Sequence, residues 1–412
     1  MSTATRVWPS RDDYQNAVLH PKRNLKDPRL HAAQVETNLR MGALKLPSPR
    51  SGNFGAVYKF TNQREAYALK VFDKAQPDRH LRYRLIDEHL HRSPKSPHLV
   101  SFDYDEGGIQ INGRWYPTLL MEWAEGQLLD HYLDETLTRR GRLDNGALCS
   151  AWVLLVQNLG QQRIAHGDLQ HGNILVMPDG FLKLVDYDGM FVPAMRQHDL
   201  TAAEIGLPAY QHPKRDRGYF DERLDHFAAL VILLSLACLD RGLWRRYHTD
   251  DNCLVVREPD LRRPRQSALF TELAQSPDAP VRRLAQFLGA AAQGGLDAVP
   301  VFARVVEDNA VRQLLSSSWR PTYRPDQEQI RAEVAPPKVV PPKVTPARED
   351  ASKNIPAKDI PTREETAPSA DSEGRASKVF GILVVAAMIV FFGIMGIGFI
   401  GAIINTIREL ME

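Results

Sequence analysis

Asp168, Asn173 and Asp186 are the residues whose types and spacing speak most directly of chemistry. They stand in His-Gly-Asp-Leu-Gln-His-Gly-Asn-Ile-Leu-Val at 166–176 and Lys-Leu-Val-Asp-Tyr-Asp-Gly at 183–189. A carboxylate five positions before an amide, then an apolar strand, then a second carboxylate at the next turn can orient an attacking hydroxyl and hold a divalent cation. That is the combination phosphoryl transfer requires. The same residue types also cap turns and bond to nearby backbone, so the assignment needs a nucleotide site to accompany it.

Such a site is legible upstream. Ser-Gly-Asn-Phe-Gly-Ala-Val-Tyr-Lys at 51–59 is followed by Ala-Tyr-Ala-Leu-Lys-Val-Phe at 66–72, a glycine-bearing hairpin running into a strand that carries Lys70. Without a Cβ, Gly52 and Gly55 let backbone amides approach phosphate. Taken with the acid–amide–acid stretch, the chain resembles the protein-kinase family, whose signatures are a glycine-rich loop, a strand lysine, H-R-D-L-x-x-x-N and D-F-G.

The resemblance implies ATP as phosphate donor and Mg²⁺ as cofactor. Asp168 would accept the hydroxyl proton, Asn173 would take one metal ion, and Asp186 would take the metal that bridges the phosphates. Lys70 would face the phosphates, with Gly52, Gly55 and Val57 lining the nucleotide.

Lys70 needs a carboxylate partner from the adjacent helix. Residues 78–92 read as that helix, with Leu81, Leu85 and Leu90 on a partial apolar stripe. Glu88 is the expected partner and Asp87 the near rival. Two strands follow, at 99–105 and 115–123, joined through Gly107-Gly108 and Asn112-Gly113. The second runs into Met121-Glu122-Trp123-Ala124, which resembles the kinase hinge: the backbone of Glu122 to Ala124 would meet the adenine edge, with Met121 behind it.

Leu148, Trp152, Leu155, Val156 and Leu159 recur at helical spacing within 143–163, a buried helix leading into the catalytic stretch. Gly-Leu-Pro-Ala-Tyr-Gln-His-Pro at 206–213 resembles the end of an activation segment. Residues 225–234 resemble the family's central helix, in which Asp225 would anchor the catalytic loop.

Several positions depart from the family pattern. Gly167 replaces arginine, Asp188 the last glycine of D-F-G, Arg50 the first glycine of the loop, and Gln170 a lysine that contacts phosphate. Leu207 replaces a threonine, and Lys214 the glutamate of A-P-E. Thr201 is the only Ser or Thr between Asp186 and Pro213, so control by phosphorylation of that loop is not expected.

The 412 residues suffice for one two-part domain with appendages. The formal net charge of +2, with no basic stripe interleaved with aromatics, points away from a nucleic-acid partner. Cys149, Cys238 and Cys253 lack metal or redox spacing and suit a reducing compartment. From residue 321 prolines alternate with Lys, Glu, Ala and Ser, and aromatics vanish between Tyr323 and Phe380. Such a segment reads as a disordered tether.

Residues 379–404 form an apolar run of roughly 26 residues, against the ~20 that span a bilayer. They read as a single transmembrane helix. No apolar core at the N-terminus suggests a leader, and Lys358, Arg363, Arg375 and Lys378 before the span favour a cytoplasmic catalytic part held by a tail anchor. Gly393, Gly396, Gly398, Gly401 and Ala402 would permit helix pairing and hence a homodimer.

The expected architecture is therefore α+β: an extension at 1–45, a two-lobed kinase-like domain at 46–320 with a five-stranded small lobe and a helical large lobe, a linker at 321–378, the membrane helix and a short tail at 405–412. The expected activity is transfer of the γ-phosphoryl group of ATP to Ser or Thr of a protein. Its rivals are a small-molecule phosphotransferase of the aminoglycoside-kinase type, which shares His-Gly-Asp-Leu-x-x-Gly-Asn, and a membrane-bound pseudokinase scaffold.

Overall fold

The chain enters its first helix, α1 (Arg11–Val18), through a capping box. The Ser10 hydroxyl accepts from the Asp13 amide at 3.2 Å, and the Asp13 carboxylate accepts from the Ser10 amide at 2.9 Å. The computed structural model describes residues 8–41, 44–51, 55–248 and 252–315. Expectations for Gly52, the linker at 321–378, the apolar run at 379–404, the tail at 405–412 and helix pairing fall outside those residues. Among the described residues no helix is long and apolar enough to cross a membrane.

Helix α1 and the short α2 (Pro21–Asn24) lay Tyr14, Val18, Leu25 and Leu30 against the outer face of a sheet, where they share a core with Tyr58, Phe60, Leu69, Val71 and Ile109. The Tyr14 hydroxyl donates to the Phe72 carbonyl at 2.8 Å, and the Trp8 indole N–H reaches the same oxygen. Strand β1 (Gln34–Val35) extends the sheet by pairing with Phe60 and Thr61. A boundary at residue 46 therefore corresponds to no break in packing: the segment expected to be an extension supplies a strand and part of the core.

Strands β2 (Thr37–Met41) and β3 (Leu44–Pro47) form a separate hairpin. The main sheet holds β4 (Arg50–Ser51), β5 (Gly55–Thr61) and β6 (Ala66–Phe72), then β7 (Phe102–Ile111) and β8 (Arg114–Glu122), in the order β1-β5-β6-β8-β7 with β4 also on β5. It has six strands rather than five, because the N-terminal segment adds β1. Residues 106–108, read as a connection, stay within β7. The register shifts between Asp105 and Ile109, and a Cβ at Gly108 would collide with Thr118, so this glycine marks an irregularity inside a strand.

Helix α3 (Arg79–Arg92) packs beside the sheet, and Ala-Glu-Gly at 124–126 leads from it through β9 (Gln127–Leu128) and α4 (Leu129–Glu135) into the helical region. Helix α5 (Asn145–Gln161) carries the predicted stripe, and Leu148, Trp152, Leu155, Val156 and Leu159 are all buried. Strands β10 (Ile174–Val176) and β11 (Leu182–Leu184) pair with each other, and β10 also pairs with β9, in a separate three-stranded sheet.

Helix α6 (His226–Cys238) is buried at every residue from Phe227 to Cys238. It is apolar all round because it packs against both α5 and α10 (Ala279–Gln293); α7 (Arg241–Tyr247) follows it in the chain, and α8 (Glu258–Arg262) and α9 (Ala268–Ala274) pack on α10. The Trp152 indole donates to the Ala229 carbonyl at 3.0 Å, satisfying a buried N–H across the α5–α6 contact. The fold is α+β, a β-rich N-terminal sheet followed by a helical C-terminal region.

Candidate active site

The turn that carries Asp168 is built on α6. Asp225, at the start of that helix, accepts the backbone N–H groups of His166 at 2.5 Å and Gly167 at 2.8 Å, satisfying two buried donors with one carboxylate. Gly167 has φ +81°, and a Cβ there would run into the Gly189 carbonyl. Only glycine fits so tight a crossing of the two motif loops. The Arg215 guanidinium braces the turn from below, donating to the Gly167 carbonyl at 3.1 Å and to the Gln211 side chain.

Asp168 itself is 8% exposed. The Asn173 amide donates to its backbone carbonyl and to Oδ2, both at 2.9 Å, while Oδ1 is buried with no hydrogen-bond partner. Burial raises the Asp168 carboxyl above its ordinary value and the negative charge of Asp186 adds to this, against the opposing pull of His166, Asn173 and Arg215. The backbone of Gly206 lies directly over Oδ1, close enough that a Cβ would overlap it. Gln170, two residues on, accepts from the Gly172 amide at 2.8 Å and staples the loop.

Lys70 on β6 is 3% exposed and donates to Asp186 Oδ1 and Asp188 Oδ2, each at 2.7 Å. Burial alone would depress the ammonium; the two carboxylates reverse that and hold it firmly charged. Burial likewise acts to raise Asp186, and the Lys70 charge and hydrogen bond outweigh it, so this carboxyl lies below its usual range. Asp186 adopts φ +67°, a strained conformation for a non-glycine residue of the kind that collects at functional sites.

The expected partner of Lys70 was Glu88, and the structure corrects this. Glu88 faces solvent and pairs with Arg92 at 3.3 Å and Arg84 at 4.0 Å on its own helix. Asp87 is no substitute, because it pairs with His91. The face of α3 that looks inward presents Arg79, Arg82, Tyr83, Leu85 and Ile86. Tyr83 donates to Asp188 Oδ1 at 2.5 Å.

Two residues near the site escaped the sequence reading. Asp188 stood out only as a departure from a motif, although a second acid in an otherwise apolar stretch was a visible signal. Glu204, on the segment approaching Asp168, has its carboxyl pushed up to about 8 by burial and then by the charges of Asp168, Asp186 and Asp188; no spacing rule pointed to it.

The nucleotide-side residues are spread along the sheet. Val57 on β5 stands opposite Lys70, and Gly55 is opposite Phe72. A Cβ at Gly55 would strike the Val71 carbonyl, so the glycine is needed for strand packing as well. Met121 is buried at the end of β8 between Ala68 and Phe102. The Glu122 amide donates to Ser101 at 3.3 Å and the Trp123 amide to Ala66 at 3.0 Å, so both of these N–H groups are committed to the sheet. The Ala124 carbonyl accepts from Gly126 at 2.9 Å.

The groups available to a metal are the Asp186 carboxylate and the side-chain carbonyl of Asn173, both oxygen ligands of the hard type that Mg²⁺ takes. An ion held by one or two carboxylates completes its shell with phosphate and water. Among the described residues no group of three or more His, Cys, Asp or Glu is placed to hold a metal ion.

Residues 51–289 match the family model described as the protein kinase domain. The chain belongs to the protein kinase family. It is similar to CBL-interacting protein kinase 16 of Oryza sativa, 31% identical over 217 residues, which are 50% of this chain and 46% of that protein. It is also similar to the serine/threonine-protein kinase PksC of Streptomyces coelicolor, 27% identical over 139 residues, 32% of this chain and 25% of that one. Serine/threonine-protein kinase 36 of Pongo abelii is 28% identical over 196 residues, 45% of this chain and 14% of that protein. The chain thus spans less than half the length of each of these relatives.

Within the protein kinase family, the chain's departures from the usual pattern have physical reasons. Gly167 stands where arginine is usual because the backbone crosses Gly189 there. Lys214, in place of a glutamate, donates to the Gly294 carbonyl at 2.9 Å and ties the activation segment to the end of α10.

Proposed function

We propose that this chain is a membrane-anchored protein kinase that transfers the γ-phosphoryl group of ATP to Ser or Thr residues of protein substrates. The observation that carries the reading is the pinned turn: Asp225 fixes the backbone, Asn173 fixes one oxygen of Asp168, and the other oxygen is left without a partner beside Gly206, in the field of Asp186.

Asp168 Oδ1 accepts the proton of the acceptor hydroxyl as its oxygen attacks phosphorus, and Asn173 keeps the carboxylate from turning away. Lys70 meets phosphate oxygens with an ammonium already desolvated and oriented. The Ala124 N–H serves the adenine edge, since its two predecessors are used in the sheet, and Met121 closes the back of the pocket. Asn173 and Asp186 would hold Mg²⁺, which neutralises phosphate charge when bound. Most of the acceleration in this scheme comes from placement and preorganised charge.

A protein acceptor is favoured over a small molecule by the relatives, two of which are named as serine/threonine-protein kinases. The membrane attachment, the cytoplasmic placement and the tether rest on the sequence of residues 321–404 alone.

The test is incubation of the full-length chain with γ-labelled ATP and Mg²⁺, offering a protein mixture and a metabolite mixture as separate acceptors. Label in Ser or Thr of proteins supports the proposal. Label only in metabolites supports the small-molecule phosphotransferase, and nucleotide binding without transfer to either supports the pseudokinase.

A further inference from the structure

We propose that Asp188, locked by Tyr83, is the positioning carboxylate for Lys70 in this chain, in place of a carboxylate from helix α3. The proposal rests on the kinase reading for its meaning in catalysis, but its geometry stands by itself.

Lys70 has two acceptors, and they cannot both be permanent. Asp186 is the carboxylate with a competing task, since its side chain is one-third exposed and faces the place where metal and phosphate would lie. Asp188 has no such exposure. Its side chain is 2% exposed, enclosed between Lys70 on one oxygen at 2.7 Å and the Tyr83 hydroxyl on the other at 2.5 Å. When Asp186 is drawn to a cation, Asp188 remains to neutralise and aim the lysine.

Tyr83 is built to hold that carboxylate. Its ring is buried, stacks on Tyr104 at 5.0 Å and 6°, and meets Phe102 edge-on at 5.6 Å and 76°. A ring so enclosed can place its hydroxyl in only one direction, and the bond to a carboxylate is of the strong, charge-assisted kind. Helix α3 therefore acts on Lys70 through a tyrosine and a relay acid. Its own acids, Asp87 and Glu88, point to solvent. The glycine that usually follows D-F could not take this role, which gives the Asp188 departure a physical purpose.

The first test needs no catalysis. In the full-length protein without nucleotide or metal, Lys70 is treated with an amine-selective acylating reagent and its modification is followed by peptide mass spectrometry. Lys59, on the neighbouring strand β5 and paired with Glu125 at 2.9 Å, is the internal reference. Asp188→Asn should speed Lys70 modification about tenfold or more, and Tyr83→Phe, which keeps the ring packing, by a smaller factor. Glu88→Gln should match wild type, and Lys59 should not change in any variant. Unchanged Lys70 reactivity in both Asp188→Asn and Tyr83→Phe, or acceleration by Glu88→Gln, would overturn the proposal. So would equal acceleration at Lys59, which would mark a loosened sheet.

The second test reads catalysis. Both substitutions should lower kcat/KM for ATP while leaving adenosine affinity intact, and Asp188→Asn should add no further loss to a Lys70→Met protein. Independent, multiplying losses would mean that Asp188 does not act through Lys70. A wild-type chain that transfers no phosphate would instead defeat the kinase reading, and the labelling result would stand apart from it.

Discussion

Replacing Asp225 with alanine should collapse the catalytic turn while leaving the nucleotide side of the site in place. The carboxylate accepts two buried N–H groups, from His166 at 2.5 Å and Gly167 at 2.8 Å. Hydrogen bonds to a charged group contribute about 1.5–3 kcal/mol each, and two stranded donors would carry their own desolvation cost. Because both bonds share one carboxylate, their effects are not additive, and a net loss of about 3 kcal/mol is expected. With a urea slope of ~3 kcal/mol per molar for a domain of this size, the midpoint should fall by ~1 M. A displacement of Asp168 by about 1 Å is enough to cost ~100-fold in turnover. The assay pairs urea unfolding with single-turnover phosphoryl transfer and adenosine binding, and binding should be nearly unchanged. A midpoint moved by less than ~0.2 M together with unaltered turnover would refute the reasoning that this carboxylate holds the turn.

Gly167→Ala should destabilise by at least ~2 kcal/mol, since φ +81° is unfavourable for alanine and its Cβ would meet the Gly189 carbonyl, readable in the same urea titration. Deleting residues 1–31 removes Tyr14, Val18, Leu25 and Leu30 from the sheet's outer core, each contributing about 1.5–3 kcal/mol of burial. The truncated chain should lose its cooperative unfolding transition and be digested rapidly by protease, whereas an intact, protease-resistant domain would make the segment an appendage after all. Glu204 has a folded-state carboxyl pushed up to about 8 from 4.5, so the folded protein binds its proton more tightly than the unfolded chain. Its stabilising effect is complete at low pH, below the unfolded value, and is lost as pH rises through about 8. Glu204→Gln should flatten that decline in stability between roughly pH 5 and 8, measured by thermal unfolding without divalent cations.

The parts of the site written in contiguous stretches were legible in the sequence. Asp168, Asn173 and Asp186 lie on two short loops around one hairpin, and strand alternation around Lys70 left little choice of element. The stripe of α5 and the unbroken apolar run of α6 announced buried helices in the same way. What spacing could not show was rotation. Both Glu88 and Tyr83 lie on α3, and a charged helix with a weak apolar stripe does not say which side looks inward; the aromatic contacts of Tyr83 with Phe102 and Tyr104 decide it. The N-terminal segment was opaque for a related reason. Trp8 and Tyr14 both bond to the Phe72 carbonyl, and with Leu30 they pack on residues of strands far along the chain; local pattern carries no trace of a contact with Phe72. Glu204 is visible only once the folded chain buries it and sets the charges of Asp168, Asp186 and Asp188 around it.

The central claim is that Asp168 acts on the acceptor hydroxyl from a turn that the rest of the domain holds rigid. The most direct measurement is single-turnover transfer from labelled ATP by the full-length chain and its Asp168→Ala variant, with nucleotide affinity measured on the same samples. The account predicts a loss of at least ~100-fold in the rate of transfer with nearly unchanged affinity for ATP. An unaltered rate, or a loss of affinity matching the loss of rate, would contradict it.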